Sequence, residues 1–141
     1  MKGVGAVLRR LDDLPREATA GISRALGQSV VEMHAYAVQK IQGGSRSGKT
    51  YRRGSVVHQA SAPGEFPKTD RGQLVSSLFI RVEGLAAYFG SMLNYAKWLE
   101  LGTSRMAARP WLRPTFNNFR ELITKRVNGA INEAVRKIAR G

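Results

Sequence analysis

The most chemically suggestive stretch of the sequence is a glycine-rich loop, GGSRSGKT at residues 43–50. It matches the phosphate-binding loop pattern G-x-x-x-x-G-K-[ST] at every defined position. That loop binds phosphate only between a buried strand and a helix, because backbone N–H groups and the helix N-terminus must converge on the anion. Here a helical stripe comes before the loop and an extended stretch follows it. We therefore do not expect nucleotide hydrolysis.

The other groups that perform chemistry are few and scattered. His34 and His58 are the only histidines, and neither has an acid at the spacing of a triad or a metal site. There is no cysteine, which excludes disulfides, thiol catalysis and cysteine-based zinc sites, and fits folding in a reducing cytoplasm. The sequence predicts a protein that is not an enzyme and that has no cofactor and no metal.

Charge is the strongest compositional signal. The chain has 23 Lys and Arg against 10 Asp and Glu, a net charge of +13. This excess favours anionic partners, which leaves nucleic acid, acidic lipid and acidic protein surfaces open. A basic protein that charge merely keeps soluble is the alternative.

The length of 141 residues predicts a single domain, 1–141. No apolar run approaches the ~18 residues of a membrane span, so no membrane partner is expected. The N-terminus has Arg9, Arg10, Asp12 and Asp13 where a signal peptide needs an apolar stretch.

A long helix is predicted from residue 14 to residue 42. Pro15 suits its first turn, Asp13 suits the cap, and a Gly-Gly pair at 43–44 ends it. Its apolar residues recur in steps of three and four, as in one helical stripe: Ile22, Leu26, Val30, Met33, Ala37 and Ile41.

Residues 43–67 are rich in Gly, Ser, Arg and Pro and predict a long flexible arm. Within it, residues 50–53 and 55–58 can pair as strands across Gly54. Thr69 and Asp70 can cap a short helix that runs to Leu78. Residues 79–82 and 86–89 then predict a β-hairpin.

The last third predicts a short helix over 94–101 that Gly102 ends, an extended piece over 109–114 between prolines, and a second long helix over 115–139. The apolar stripe of this helix is Phe116, Phe119, Ile123, Val127, Ala130 (or Ile131), Ala134 and Ile138. The predicted fold class is α+β, with two long helices packed on a small antiparallel β element and a long basic arm.

Two stretches resemble a known family. YAKWLELGTS at 95–104 and MAARPWLRP at 106–114 are similar to the pattern Y-A-x-x-x-E-x-G-T-x-x-x-x-A-R-P-(aromatic)-L-x-P of phage tail-component proteins. These are the head–tail connector, neck or tail-completion proteins of lambdoid-type siphophages. The matching residues are Tyr95, Glu100, Gly102, Thr103, Ala108, Arg109, Pro110, Trp111 and Pro114. SAPGEFP at 61–67 and the residues after it are similar to a second stretch of the family, with a departure in spacing at Asp70-Arg71-Gly72.

The residues of this motif also have a structural interpretation of their own. Tyr95, Trp98 and Leu99 put an apolar surface on a short helix, most simply as core. Gly102 can adopt the positive φ that ends that helix. Pro110 and Pro114 stiffen the start of the last helix and place Trp111 against the core. Glu100 and Arg109 are expected to form an ion pair.

The resemblance implies a structural subunit of the virion at the head–tail junction. It implies a homo-oligomeric ring, expected to be a hexamer, that contacts a head-side connector or stopper protein and a tail terminator or tail tube protein around a channel for DNA. The arm is expected to reach a neighbouring subunit or packaged DNA through its basic residues, Arg46, Lys49, Arg52 and Arg53. The alternative is a stand-alone nucleic-acid-binding protein, argued from charge alone, without a helix-turn-helix or zinc signature.

Overall fold

A computed structural model describes residues 2–43, 48, 50–59, 61–68 and 72–140. At 2–14, 51, 53, 56, 58 and 59 it describes only the backbone. The chain forms α1 (Lys2–Gly43), β1 (Thr50–Arg53), β2 (Val56–Gln59), α2 (Gln73–Ser77), β3 (Leu78–Glu83), β4 (Ala86–Ser91), α3 (Ala96–Leu101) and α4 (Leu112–Arg140). Two long helices with small antiparallel strand pairs confirm the predicted α+β class.

The first helix is longer than its sequence suggests. The predicted start near residue 14 is wrong, because α1 begins at Lys2 and Pro15 lies inside it. Proline is common in the first turn of helices, which is why its position suggests a start. Within α1 it removes one N–H donor, and the helix continues through it. No helix in the described part of the chain is long and apolar enough to cross a membrane.

The two long helices pack antiparallel along most of α4. Near one end Lys137 lies 3.7 Å from Glu17, and a Cβ added to Gly21 would lie 3.1 Å from the Cβ of Ala130. Farther along, Arg126 forms a half-buried ion pair of 2.9 Å with Glu32. Small residues and one internal ion pair therefore hold the helices close together.

The core has two clusters. The first joins α1 to α4 through Val30, Met33 and Phe119. The second gathers the end of α1, the short helices and the start of α4 around Ala37, Ile41, Leu74, Leu78, Ala96 and Trp111. The predicted stripe of α1 is confirmed at its buried positions, whereas Phe116, predicted as core, is 48% exposed.

The strands form two separate two-stranded antiparallel sheets. The β3–β4 hairpin pairs from Leu78↔Ser91 to Glu83↔Ala86 and packs against α1. Its turn has Gly84 at φ +56°, as a type II′ hairpin requires at its first central position. The β1–β2 hairpin has the predicted pairing, with β2 one residue later than expected.

Candidate functional site: the motif cluster

Glu100 caps the last helix. Its Oε2 accepts the backbone N–H of Trp111 at 2.7 Å and of Leu112 at 2.8 Å, and its Oε1 accepts the N–H of Arg113 at 2.9 Å. The next residue, Pro114, has no N–H. One carboxylate from α3 therefore satisfies the free donors at the start of α4 and lies at the positive end of its dipole.

This cap explains why α4 starts at Leu112. The prediction of an extended piece over 109–114 is wrong for its last three residues, which form the first turn of the helix. Proline is tolerated in that turn because its missing donor would have no intrahelical partner there. A carboxylate supplied from another element makes the turn stable.

Trp111 is the buried centre of the cluster. It is 3% exposed, and its indole Nε1 donates to the carbonyl of Ala96 at 3.0 Å. The Trp111 carbonyl accepts the hydroxyl of Thr115 at 2.6 Å, and Phe89 meets the indole edge-on with centroids 6.0 Å apart. Trp111 thus fixes α3 against the start of α4.

Gly102 ends α3 with φ +75° and ψ 174°, which confirms the predicted positive φ. A Cβ here would lie 2.9 Å from the backbone nitrogen of Ala108 and 3.0 Å from the carbonyl of Met106. Thr103 pairs with Met106 across the following turn. A side chain at position 102 is therefore excluded both by the backbone conformation and by the returning chain.

The two stretches of the family pattern meet in space. The Gly64 N–H donates to the carbonyl of Ala108 at 3.0 Å, and Arg109 Nε donates to the carbonyl of Ser61 at 3.0 Å. Gly64, at φ +85°, follows Pro63 in the turn that joins Ala62 to Glu65. Residues 61–67 therefore lie against the body.

The expected ion pair between Glu100 and Arg109 is replaced by two separate sets of contacts. Glu100 faces the backbone of α4, and Arg109 reaches Ser61. The backbone N–H of Arg109 donates to the carbonyl of Leu99 at 2.6 Å. Both charged residues therefore fix the backbone here rather than each other.

The remaining predicted residues lie around this centre. Tyr95 and Pro110 are half-buried and Thr103 is exposed. Arg52 is exposed on β1, and Arg53 is described only as backbone in that strand. Arg46 and Lys49 lie outside the described residues, as do Thr69 and Asp70. In the structure the N-cap of α2 is Gly72, at φ +67°.

Large apolar side chains are exposed on and before α3. Trp98, expected in the core, is 48% exposed, and Leu101 on the same short helix is 73% exposed. Met92 nearby in sequence is 78% exposed. A helix of one and a half turns has too little periodicity to reveal which side is buried, so the sequence misses this surface.

A groove runs beside β4, and Glu100 is its lining residue from α3. It has a volume of about 570 Å³. Its floor is formed by Leu26, Val30 and Met33 of α1, and one wall by Leu112, Phe116 and Ile123 of α4. The other wall is β4 itself, at Ala87, Tyr88 and Phe89. The sequence does not reveal this groove, because it joins three distant segments.

The described residues offer little for covalent chemistry. Among them, no group of three or more His, Asp or Glu side chains lies where it could hold a metal ion. His34 packs edge-on against Phe89, with ring centroids 6.4 Å apart. What this arrangement can do is bind other chains through apolar surfaces and open strand edges.

In comparisons with known proteins, no family model, no curated protein and no solved structure matches this chain. Its function must therefore be inferred from its own residues.

Proposed function

We propose that the chain is a structural subunit of a phage head–tail junction, a neck or tail-completion protein. Copies of it form a ring that joins the tail to the head and leaves an axial channel for DNA. The motif residues act in this ring by shaping the subunit. Glu100, Gly102 and Trp111 hold α3 and the start of α4 in one fixed arrangement.

The observation that carries this proposal is the contact between the two stretches of the family pattern. Ser61 and Gly64 of one stretch are bonded to Arg109 and Ala108 of the other. Their contact supports the interpretation of the two stretches as one structural unit, as a single family pattern requires.

Exposed apolar side chains support an assembling subunit. Met92, Trp98 and Leu101 are 78%, 48% and 73% exposed, and Leu85 and Tyr88 on the β3–β4 hairpin are 59% and 46% exposed. Single exposed apolar residues are ordinary on any protein. Tryptophan and tyrosine next to leucine and methionine are typical of protein interfaces, and such patches call for a partner chain.

A second candidate, nucleic-acid binding, rests on a shallow depression on α4. It is lined by Arg120, Lys125, Asn128 and Asn132, whose side chains carry hydrogen-bond donors, and by the acidic Glu121. Such donors suit phosphate oxygens. Within a ring, this surface would contact packaged DNA; alone, it would make a free DNA-binding protein.

The junction role is tested by disabling the gene in the phage or prophage that encodes the chain and viewing lysates by electron microscopy. The proposal expects full heads apart from separate tails, or tails of abnormal length. Complementation with the wild-type gene should restore joined particles. Normal, infectious particles without the gene would refute the junction role.

The DNA-binding candidate is distinguished by the salt dependence of binding to duplex DNA. A true binder holds DNA near physiological salt, and the logarithm of its affinity falls steeply with the logarithm of salt concentration. Weak binding that is already lost at a salt concentration below the physiological one reflects net charge alone.

A further inference from the structure

Among the described residues, the outer edge of β4 forms no backbone hydrogen bond with another element. This edge borders the groove. The two-residue turn of the β3–β4 hairpin makes Glu83↔Ala86 a hydrogen-bonded pair, and such pairs alternate along an antiparallel ladder. The bond from Met92 N–H to the Ser77 carbonyl, at 3.0 Å, continues that alternation. Ala87 and Phe89 are therefore in non-hydrogen-bonded pairs, and their N–H and C=O groups point outward from the free edge.

These outward-pointing residues also line the groove. If a strand were added at this edge, its side chains would point alternately to the two faces of the sheet. Every second side chain would lie over the apolar floor formed by Val30 and Met33 of α1. The groove has two ionisable lining residues, Glu100 and Arg113, of opposite sign. Its chemistry therefore suits an extended, uncharged segment that directs an apolar side chain toward the floor.

The chain itself contains such a segment. β2 has the sequence VVHQ, with no permanently charged residue, whereas β1 has two arginines. Val57 on β2 is 60% exposed. By the same alternation, Val57 and Gln59 point their backbone groups away from β1. A two-stranded hairpin alone is marginally stable in water, so this one needs a partner.

We propose that β2 of one copy of this chain pairs with the free edge of β4 of a neighbouring copy, placing Val57 over the groove floor. The pairing makes a four-stranded sheet across two subunits, by strand addition. β1, on which Arg52 is exposed, stays on the outside. This inference rests on the proposed function only in requiring that copies of the chain assemble.

The interface is heterologous, because β2 and the groove are different surfaces of one subunit. Heterologous contacts build rings when the rotation closes. Each subunit gives one arm and receives one, so every groove in a closed ring is filled.

The test uses the absence of cysteine from the chain. Two single variants, Val57→Cys and Ala87→Cys, are purified separately, mixed, and treated with a short bis-maleimide linker. A cross-link between them joins two chains by necessity. The matched control mixes Val57→Cys with Val135→Cys, a position on α4 that is 48% exposed, outside the groove and more accessible than Ala87.

We expect the 57–87 cross-link to exceed the 57–135 cross-link by about tenfold or more at equal concentration, because docking raises the local concentration of the paired thiols. Equal yields at every concentration would overturn the interface. A second variant, Val57→Asp, should abolish self-association in native mass spectrometry while its circular dichroism stays that of wild type. Unchanged self-association of Val57→Asp would also overturn it.

The two proposals fail separately. Rings that form without the 57–87 cross-link would refute this interface and leave the junction role intact. A strong cross-link, together with normal phage particles after loss of the gene, would refute the junction role and leave the interface intact.

Discussion

Glu100 should be the most important charged residue for the stability of this chain. Replacing it with alanine removes the acceptor for three backbone N–H groups, at 2.7, 2.8 and 2.9 Å. Loss of a helix cap costs about 0.5–2 kcal/mol, and loss of a partly buried charge at the N-terminal dipole costs up to about 2 kcal/mol more. Because three donors lose their acceptor at once, we expect Glu100→Ala to fall in the upper part of this combined range and to lower the free energy of unfolding by about 2–4 kcal/mol.

The expected change is large enough for a simple assay. A chain of this length unfolds with an entropy of about 0.3 kcal/mol/K, so the Tm should fall by about 7–13 °C. Urea denaturation followed by circular dichroism gives the free energy directly, and an unchanged m value shows that the unfolding transition is of the same kind.

Two further variants isolate the cause. Glu100→Gln keeps one acceptor oxygen but turns its NH₂ group toward a donor, so about half of the loss is expected. Glu121→Ala removes an exposed carboxylate from α4, the helix that Glu100 caps, and should change stability by less than about 0.5 kcal/mol. If Glu100→Ala costs no more than Glu121→Ala, the capping role is wrong.

A double-mutant cycle tests whether Glu100 acts through Arg109 instead. The structure gives the two side chains different partners, so Glu100→Ala and Arg109→Ala should add to within about 0.5 kcal/mol. A coupling energy clearly above that value would restore the ion pair that the sequence suggests.

Five other substitutions have expected outcomes that thermal unfolding checks. Gly102→Ala should destabilise the chain by about 2 kcal/mol or more through strain and backbone overlap, whereas Gly129→Ala, in open space on α4, should stabilise it by about 0.5–1 kcal/mol. Trp111→Phe, which removes the buried hydrogen bond from the indole N–H to the Ala96 carbonyl and leaves space in the core, should cost about 1–3 kcal/mol; Trp98→Phe, at a half-exposed side chain, should cost under about 0.5 kcal/mol. Arg126→Met leaves the half-buried Glu32 carboxylate without its partner and should cost about 1–3 kcal/mol. Equal effects within the glycine pair or the tryptophan pair, or no effect at Arg126, would contradict these assignments.

Periodic spacing predicts the parts of this fold that extend over several turns. The stripe of α1, the pairing of both hairpins and the end of α3 at Gly102 all follow from local patterns. The starts of α1 and α4 do not, since each has a proline in or beside its first predicted turn. At Pro15 the helix continues through the ring, and at Pro114 a distant carboxylate stabilises an earlier start.

The contacts within the candidate site could not be predicted from local patterns, for a different reason. Its contacts join residues from separate elements, as when Arg109 reaches Ser61 and Glu100 reaches the start of α4. Their opposite charges suggest an ion pair between Glu100 and Arg109. Sequence spacing cannot show that each side chain instead forms hydrogen bonds with backbone groups. The groove beside β4 could not be predicted for the same reason, because three segments that are distant in sequence form it only in the folded chain.

The contact between α1 and α4 has a consequence for how the chain folds as it is made. Glu17 and Lys137 lie nearly the whole chain apart in sequence, yet they are neighbours. Closing so large a loop is entropically costly and slows folding. During synthesis the part of the α1 stripe that packs on α4, at Val30 and Met33, stays incompletely covered until α4 has emerged from the ribosome, because β3 and β4 cover only part of α1. Nascent chains on one messenger RNA therefore expose the same apolar helix surface close to one another. Chaperone binding to α1 should be greatest just before α4 appears.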